Sequence, residues 1–231
     1  MVNVQNTLAN INLLEGLSED IVEALNKQCR WKWFDAQEQI IDRQAESTDV
    51  FFIVQGRVRI IIYTVGGKEI TLDDFTEGKQ FGEMAAIDSL PRSASVMAVE
   101  RSLLAAMPQS RFMELLTGHP VVAARVLKNM AHIIRISNER IMDLSTLGAA
   151  NRVHAEILRQ ARENMVDDDE AFISPMPIHG DIGSRVSSTR ETVARVMNDL
   201  ARKGFVERKK NGLKVTNIAA LSQMVEDVRG D

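Results

Sequence analysis

The chain has 231 residues, 45% apolar and 26% charged, the composition of ordinary folded domains, which excludes a disordered or collagenous chain. No stretch approaches the roughly 18 uninterrupted apolar residues of a membrane span, and Glu15, Glu19, Asp20 and Glu23 stand where a signal peptide would be basic and then apolar, so a cytoplasmic protein without membrane partners is expected. The net charge of -4 is unevenly spread: residues 178–214 carry nine Lys and Arg against four Asp and Glu, +5 in 37 residues, leaving -9 for the rest. A basic module on an acidic body suits phosphate-backbone binding, although a solvated basic face has the same composition.

In chain order, residues 16–26 open with Ser18 as N-cap, acids in the first turn and Ile21, Val22 and Leu25 at helical spacing, which predicts a short helix. From Trp31 to Met107 short runs rich in Val, Ile, Phe and Thr alternate with glycines. Phe51–Val54, Val58–Tyr63, Glu69–Phe75, Ser93–Val99 and Leu103–Met107 read as strands of a barrel or sandwich, with a hairpin turn at Val65-Gly66-Gly67-Lys68. Beyond Ser110 the pattern is helical to about Leu147, with Pro120 near the first turn of the longest element. Leu127, Met130, Ile134, Ser137, Ile141, Leu144 and Gly148 follow spacings of 3 and 4 in strict alternation. Such a heptad seam is expected of a helix paired with its own copy, and this is preferred to packing on the chain's own strands.

Gly148–Asn151 reads as a hinge, followed by an amphipathic helix over about 152–164, and Asp167, Asp168, Asp169 and Glu170 read as a solvated turn. Pro175 and Pro177 lead to two short helices, 180–186 and 189–201, broken at Ser187-Ser188, then Gly204 and two short strands around Lys210-Asn211-Gly212. This is a winged helix-turn-helix outline. The single cysteine, Cys29, cannot form an internal disulfide, and in its apolar surroundings it reads as a plain buried thiol. His119, His132, His154 and His179 have no metal-ligand spacing, so no metal, haem or iron-sulfur cluster is expected.

Two stretches carry chemistry. Phe81-Gly82-Glu83-Met84-Ala85-Ala86 through Pro91-Arg92-Ser93-Ala94 combines a glycine that admits a ligand to the backbone with a carboxylate able to accept from sugar hydroxyls. It adds helix-start amides and a guanidinium, both suited to an anion. Ser187-Ser188-Thr189-Arg190-Glu191-Thr192-Val193-Ala194-Arg195 opens the second helix of the basic module, placing Arg190, Glu191 and Arg195 where a recognition helix faces the major groove. Arg can bind guanine bidentately and Glu can accept from the cytosine amino group, whereas a carboxylate has no use in nonspecific phosphate binding.

With these two stretches in this order, the sequence resembles the catabolite activator protein family of bacterial regulators, from about Leu13 to Val225. The resemblance implies an α+β fold: an N-terminal β-barrel or jelly-roll cyclic-nucleotide-binding domain (1–118), a long dimerisation helix (119–148) and a C-terminal winged helix-turn-helix domain (149–231). It implies that Glu83 holds the ribose 2'-hydroxyl and that Arg92, Ser93 and the amides of Gly82, Glu83, Met84 and Ala85 hold the cyclic phosphate. Ile60 and Leu72 become apolar walls, with Asp73 beside them. Ser137 and Asn138 receive the base, although the family more often has Thr then Ser there. Adenine and guanine can both be met by Ser and Asn, so cyclic AMP is the expected ligand and cyclic GMP stays open. Arg190, Glu191 and Arg195 are implied to read TGTGA-like half-sites of double-stranded DNA, with Ser188, Thr189 and His179 on phosphates, His179 replacing a more usual Arg. RNA polymerase is the further implied partner. No enzyme is expected, since phosphate-loop, nucleophile-elbow and metal-pair motifs are missing. The alternatives are a regulator of the same fold with another effector, or a vestigial cassette in which Glu83 and Arg92 form a structural ion pair.

Overall fold

Arg30 begins a run in which β-branched and aromatic side chains take up the two faces of paired strands. A computed structural model of the chain describes residues 6–67 and 69–229 and divides into two units, Met1–His132 and Ile133–Asp231. Lys68, the last residue of the predicted hairpin turn, lies outside the described residues.

The first unit opens with a 3-10 turn at Asn12–Leu14 and α1 (Glu19–Gln28), whose first turn is acidic and whose last carries Lys27, each complementing the helix dipole. Ser18 precedes α1 in extended conformation, and its carbonyl rather than its hydroxyl receives the first N–H groups. Then come β1 (Arg30–Phe34), β2 (Gln39–Ile41), β3 (Val50–Gln55), β4 (Arg57–Tyr63), β5 (Glu69–Thr76), β6 (Gln80–Phe81), α2 (Glu83–Asp88), β7 (Ser95–Ala98), β8 (Ser102–Met107), α3 (Gln109–Gly118) and α4 (Pro120–Thr146). The strands form two four-stranded antiparallel sheets, β1-β8-β3-β6 and β2-β7-β4-β5.

Both sheets feed one core: Phe34, Ile53, Phe81 and Leu104 from the first meet Ile41, Val58, Val96 and Ala98 from the second. Alternate residues of β3 and β8 turn the other way, so Val50, Phe52, Ala105 and Met107 pack with Phe112, Leu115, Val122 and Val126 of α3 and α4. Burial on both faces explains why these two strands read as continuous apolar runs. The start of α4 is thus fastened by Val122 and Val126, whereas its heptad positions Leu127, Ile134, Ile141 and Leu144 are 67%, 59%, 63% and 50% exposed. Met130, a further seam position, is half-buried against the first unit's core.

In the second unit, α5 (Ala149–Glu163), β9 (Ala171–Ile173), α6 (His179–Arg185), α7 (Arg190–Arg202), β10 (Val206–Lys209), β11 (Gly212–Val215) and α8 (Ile218–Arg229) surround a core that includes Leu147, Ile157, Ile182, Val193, Leu200, Leu213 and Leu221. The sheet order is β10-β11-β9, all antiparallel.

Two expectations are corrected here. The supposed hinge is only Leu147-Gly148 between two helices, and Leu147 is buried in the core. The acidic turn is structural as well as solvated: the Asp169 carboxylate accepts the Ala219 N–H at 2.7 Å and its carbonyl the Ile218 N–H at 3.1 Å, capping α8, while Glu170 pairs with Lys214. Cys29 is half-buried, and burial pushes its thiol up to about 12. Among the described residues no helix is long and apolar enough to cross a membrane, and no three His, Cys, Asp or Glu side chains cluster for a metal.

Candidate functional site

Phe81 ends β6 against β3, its ring stacked on Phe51 with centroids 5.2 Å apart. The chain then turns through Gly82 at φ 85° into α2. That left-handed conformation suits glycine, and space demands it too: a Cβ there would lie 2.7 Å from Nη1 of Arg92 and 3.1 Å from the Asp49 carbonyl oxygen. Ser89 closes α2 and Gln109 fastens its end, donating to the Ala86 carbonyl at 2.8 Å and to Ser89 Oγ at 3.0 Å.

Arg92 is the unusual group of the cassette. It is only 4% exposed, yet its three hydrogen-bond acceptors are all neutral: Ser47 Oγ from Nε (3.1 Å), the Gly82 carbonyl from Nη1 (2.8 Å) and the Asp49 carbonyl from Nη2 (2.7 Å). Its Cζ also lies 6.0 Å from the Phe51 ring centroid. Among the described residues no carboxylate pairs with it; the Asp49 carboxylate is taken by Arg30. Burial lowers the Arg92 pKa, with Asp49 and then Glu83 pulling it back up. A guanidinium offers five N–H donors, so two remain, on a buried cation that no carboxylate of the described residues meets at ion-pair distance.

Glu83, the first residue of α2, is half-buried, and desolvation raises its carboxyl pKa against the opposing pull of its own N–H and of Arg92. Ser93 is exposed, with Oγ 3.8 Å from Met84 Sδ. Met84 is exposed and Ala85 buried, and the first amides of α2 are of the kind a helix leaves without internal partners. On the neighbouring sheet Ile60 pairs with Asp73, and the register slips so that Leu72 sits in a bulge. Ile60 also pairs with Val96, four residues beyond Arg92, and packs on the cluster containing Phe51 and Phe81. The first unit therefore gathers Gly82, Glu83, Met84, Ala85, Arg92 and Ser93 in one cassette and Ile60, Leu72 and Asp73 on one strand pair. Ser137 and Asn138 lie on α4 in the second unit, both exposed. Sequence reasoning missed Ser47, Asp49 and Phe51, which aim Arg92 through a hydroxyl, a backbone carbonyl and a ring that no motif marks.

The helix-turn-helix is built by the same close approach. The Ser188 N–H donates to the Gly183 carbonyl at 2.9 Å, and a Cβ on Gly183 would stand 3.1 Å from the Ser188 carbonyl oxygen, so the turn lies directly on α6. Thr189 caps α7, its Oγ1 accepting the Thr192 N–H at 3.2 Å. Val193, Val196, Met197 and Leu200 bury one face of α7, which leaves Arg190, Glu191 and Arg195 exposed. The i,i+4 contact that would tie Glu191 to Arg195 is not among the ion pairs of the described residues. The helix-start N–H, the Thr189 hydroxyl and Arg190 all hold the Glu191 pKa down, which keeps it ionised. His179 starts α6 half-buried, its pKa lowered by burial and by Arg208 and Arg190. Ser188 departs from expectation: its Oγ is enclosed without a hydrogen-bond partner rather than presented outward.

Residues 31–119 match the cyclic nucleotide-binding domain model and residues 151–224 the Crp-like helix-turn-helix domain model. The cyclic AMP receptor protein of Thermus thermophilus is 29% identical over 175 residues, 76% of this chain and 78% of that protein. Among solved structures, a CooA mutant from Carboxydothermus hydrogenoformans has a TM-score of 0.78 at 20% identity, covering 93% of this chain and 95% of that one. The c-di-GMP responsive global regulator CLP of Xanthomonas campestris has a TM-score of 0.65 at 17% identity, covering 87% of this chain and all of that one. With a cyclic nucleotide-binding domain followed by a Crp-like helix-turn-helix domain, the chain belongs to the catabolite activator protein, or cyclic AMP receptor protein, family of transcription regulators.

Proposed function

We propose that the protein is a homodimeric transcription factor, cytoplasmic and without catalytic activity of its own, whose affinity for a TGTGA-like inverted repeat is switched by cyclic AMP. The observation that carries the ligand reading is Arg92: a buried guanidinium with neutral acceptors and two unspent N–H groups beside a half-buried carboxylate. A cyclic phosphodiester supplies a negative charge to pair with Arg92, and its ribose 2'-hydroxyl supplies a further donor to the Glu83 carboxylate. Ser93 and the amides of Gly82, Glu83, Met84 and Ala85 complete the anion site, Ile60 and Leu72 wall it with Asp73 beside them, and Ser137 and Asn138 receive the base.

The exposed heptad seam of α4 supports pairing with a second copy through residues 119–148, since four large apolar side chains at 50% exposure or more are costly to leave in water. In the dimer two α7 helices enter successive major grooves, about 34 to 36 Å apart. Arg190 and Arg195 read guanine, Glu191 reads cytosine, and Thr189 and His179 meet phosphates. Ser188 reaches the backbone only if its hydroxyl turns out of the pocket it occupies. RNA polymerase is the partner through which a DNA-bound dimer acts. Cyclic AMP switches this output only by binding the DNA-competent state more tightly.

Ser137 and Asn138 can meet guanine as well as adenine, so cyclic GMP is the first alternative to test. Calorimetric titration with cyclic AMP and cyclic GMP, followed by DNA binding with each, decides between them. Tight binding of cyclic AMP that also promotes DNA binding supports the proposal; the same response to cyclic GMP alone favours the alternative, and binding of neither overturns it.

A further inference from the structure

The second unit contains an ionic cluster that the two motifs do not account for. Its centre is Glu156 on α5, 1% exposed, and Asp143 on α4, 4% exposed. Arg159 donates to both, through Nη1 to Glu156 and through Nη2 to Asp143 at 2.9 Å, while its Nε stands 3.7 Å from Glu139. Glu156 also faces Arg140 of α4 at 3.9 Å and Arg185 of α6 at 3.6 Å, and it accepts from Gln160 at 2.9 Å. Asp143 receives Arg229, the last residue of α8, through Nε at 3.1 Å and through Nη2. Two buried carboxylates thus hold arginines from all of α4, α5, α6 and α8.

A second clamp sits beside it. Arg152 donates through Nη1 to the Leu147 carbonyl at 2.8 Å, through Nε to the Val186 carbonyl at 2.8 Å and through Nη2 to the Ser187 carbonyl at 3.2 Å. One side chain therefore ties the break between α4 and α5 to the turn between α6 and α7. Surface ion pairs contribute little, but a buried carboxylate shared among several arginines is costly to break, because each cation left behind loses its partner.

We propose that Asp143, Glu156, Arg159 and Arg152 form a latch that makes the end of α4 from Glu139, together with Leu147 after it, one mechanical piece with the helix-turn-helix. Gly148 then does not swing freely, and a displacement of that segment reaches α7 undiminished. Asp143 and Glu156 are positioning residues for DNA reading, an assignment that rests on the reading of α7 given above.

The test uses the full chain and the variants Asp143→Asn, Arg229→Gln and the double substitution. Hydrogen exchange of the unliganded wild type should protect 139–147 as well as α5, within about threefold, and Asp143→Asn should speed exchange there at least tenfold while β3, β8 and α7 keep their rates. With the inverted-repeat probe, the ratio of DNA affinities with and without cyclic AMP should shrink at least tenfold, cyclic AMP affinity without DNA staying within threefold. The double substitution should cost no more than Asp143→Asn alone, because the two side chains act as one contact. Fast exchange of 139–147 in the wild type, or no change in Asp143→Asn, overturns the latch. Equal loss of DNA affinity with and without ligand would show a merely structural role and overturn the positioning claim. A wild type that binds no DNA overturns the reading of α7 instead, and the exchange pattern still decides the latch.

Discussion

Arg92→Leu removes the one buried cation of the cassette and so tests its purpose. In the unliganded protein the guanidinium holds three oxygens, those of Ser47, Gly82 and Asp49. Leucine orphans them but also removes the cost of burying a charge, for a net loss of roughly 1 to 3 kcal/mol. Against a total of about 5 to 15 kcal/mol the chain stays folded. The loss for an anion is larger: two charge-assisted hydrogen bonds at about 1.5 to 3 kcal/mol each amount to roughly 3 to 6 kcal/mol, on the order of 10² to 10⁴ in Kd. Calorimetry reads this directly, and thermal unfolding reads it independently. Cyclic AMP at 100 times the wild-type Kd should stabilise the wild type by about 2.7 kcal/mol, a rise of roughly 5 to 10 °C, and Arg92→Leu by no more than about 0.4 kcal/mol. Arg92→Lys, which keeps the charge but loses the fork, should fall between them. A Leu variant that binds cyclic AMP like the wild type would refute the reasoning, because the buried charge would then serve the fold alone.

Four further outcomes are expected. Gly82→Ala places a methyl against Arg92 and Asp49 in a left-handed turn, so it should destabilise by about 1 to 3 kcal/mol and weaken ligand binding, as denaturant titration and calorimetry would show. Glu191→Ala should relax preference at one base pair per half-site, a loss of about 1 to 3 kcal/mol in discrimination, and an unaltered binding-site selection profile would remove its reading role. Ile141→Asp in the exposed seam should yield monomers in sedimentation velocity; an unchanged dimer would place the interface elsewhere. The His179 pKa is lowered in the free protein. A phosphate contact raises it again, so DNA affinity should increase as pH falls through that interval, where the complex takes up a proton the free protein lacks, and His179→Gln should flatten the dependence measured by anisotropy.

What the sequence disclosed and what it withheld have separate physical causes. The strands β3, β4, β5, β7 and β8 were legible because burial imposes long apolar or alternating runs. The strands β1, β2 and β6 were not. In β1, Arg30 and Lys32 interrupt Trp31, Trp33 and Phe34, while β2 and β6 have three and two residues, too few for any periodicity. The cassette was found as a linear motif, yet the groups that aim Arg92 act largely through carbonyl oxygens, which every residue possesses. No sequence signal marks Asp143, Glu156 and Arg159, because only the convergence of four helices buries the two carboxylates and brings Arg159 between them. The heptad periodicity is legible in the sequence, and of its positions Leu127, Ile134, Ile141 and Leu144 are exposed on α4 while Met130 packs on the core.

The most direct measurement is anisotropy of a labelled TGTGA inverted repeat titrated with the protein at several cyclic AMP concentrations. The account predicts that saturating cyclic AMP tightens DNA binding at least tenfold and that saturating DNA tightens cyclic AMP binding by the same factor, as linkage requires. DNA affinity indifferent to both cyclic AMP and cyclic GMP would contradict it.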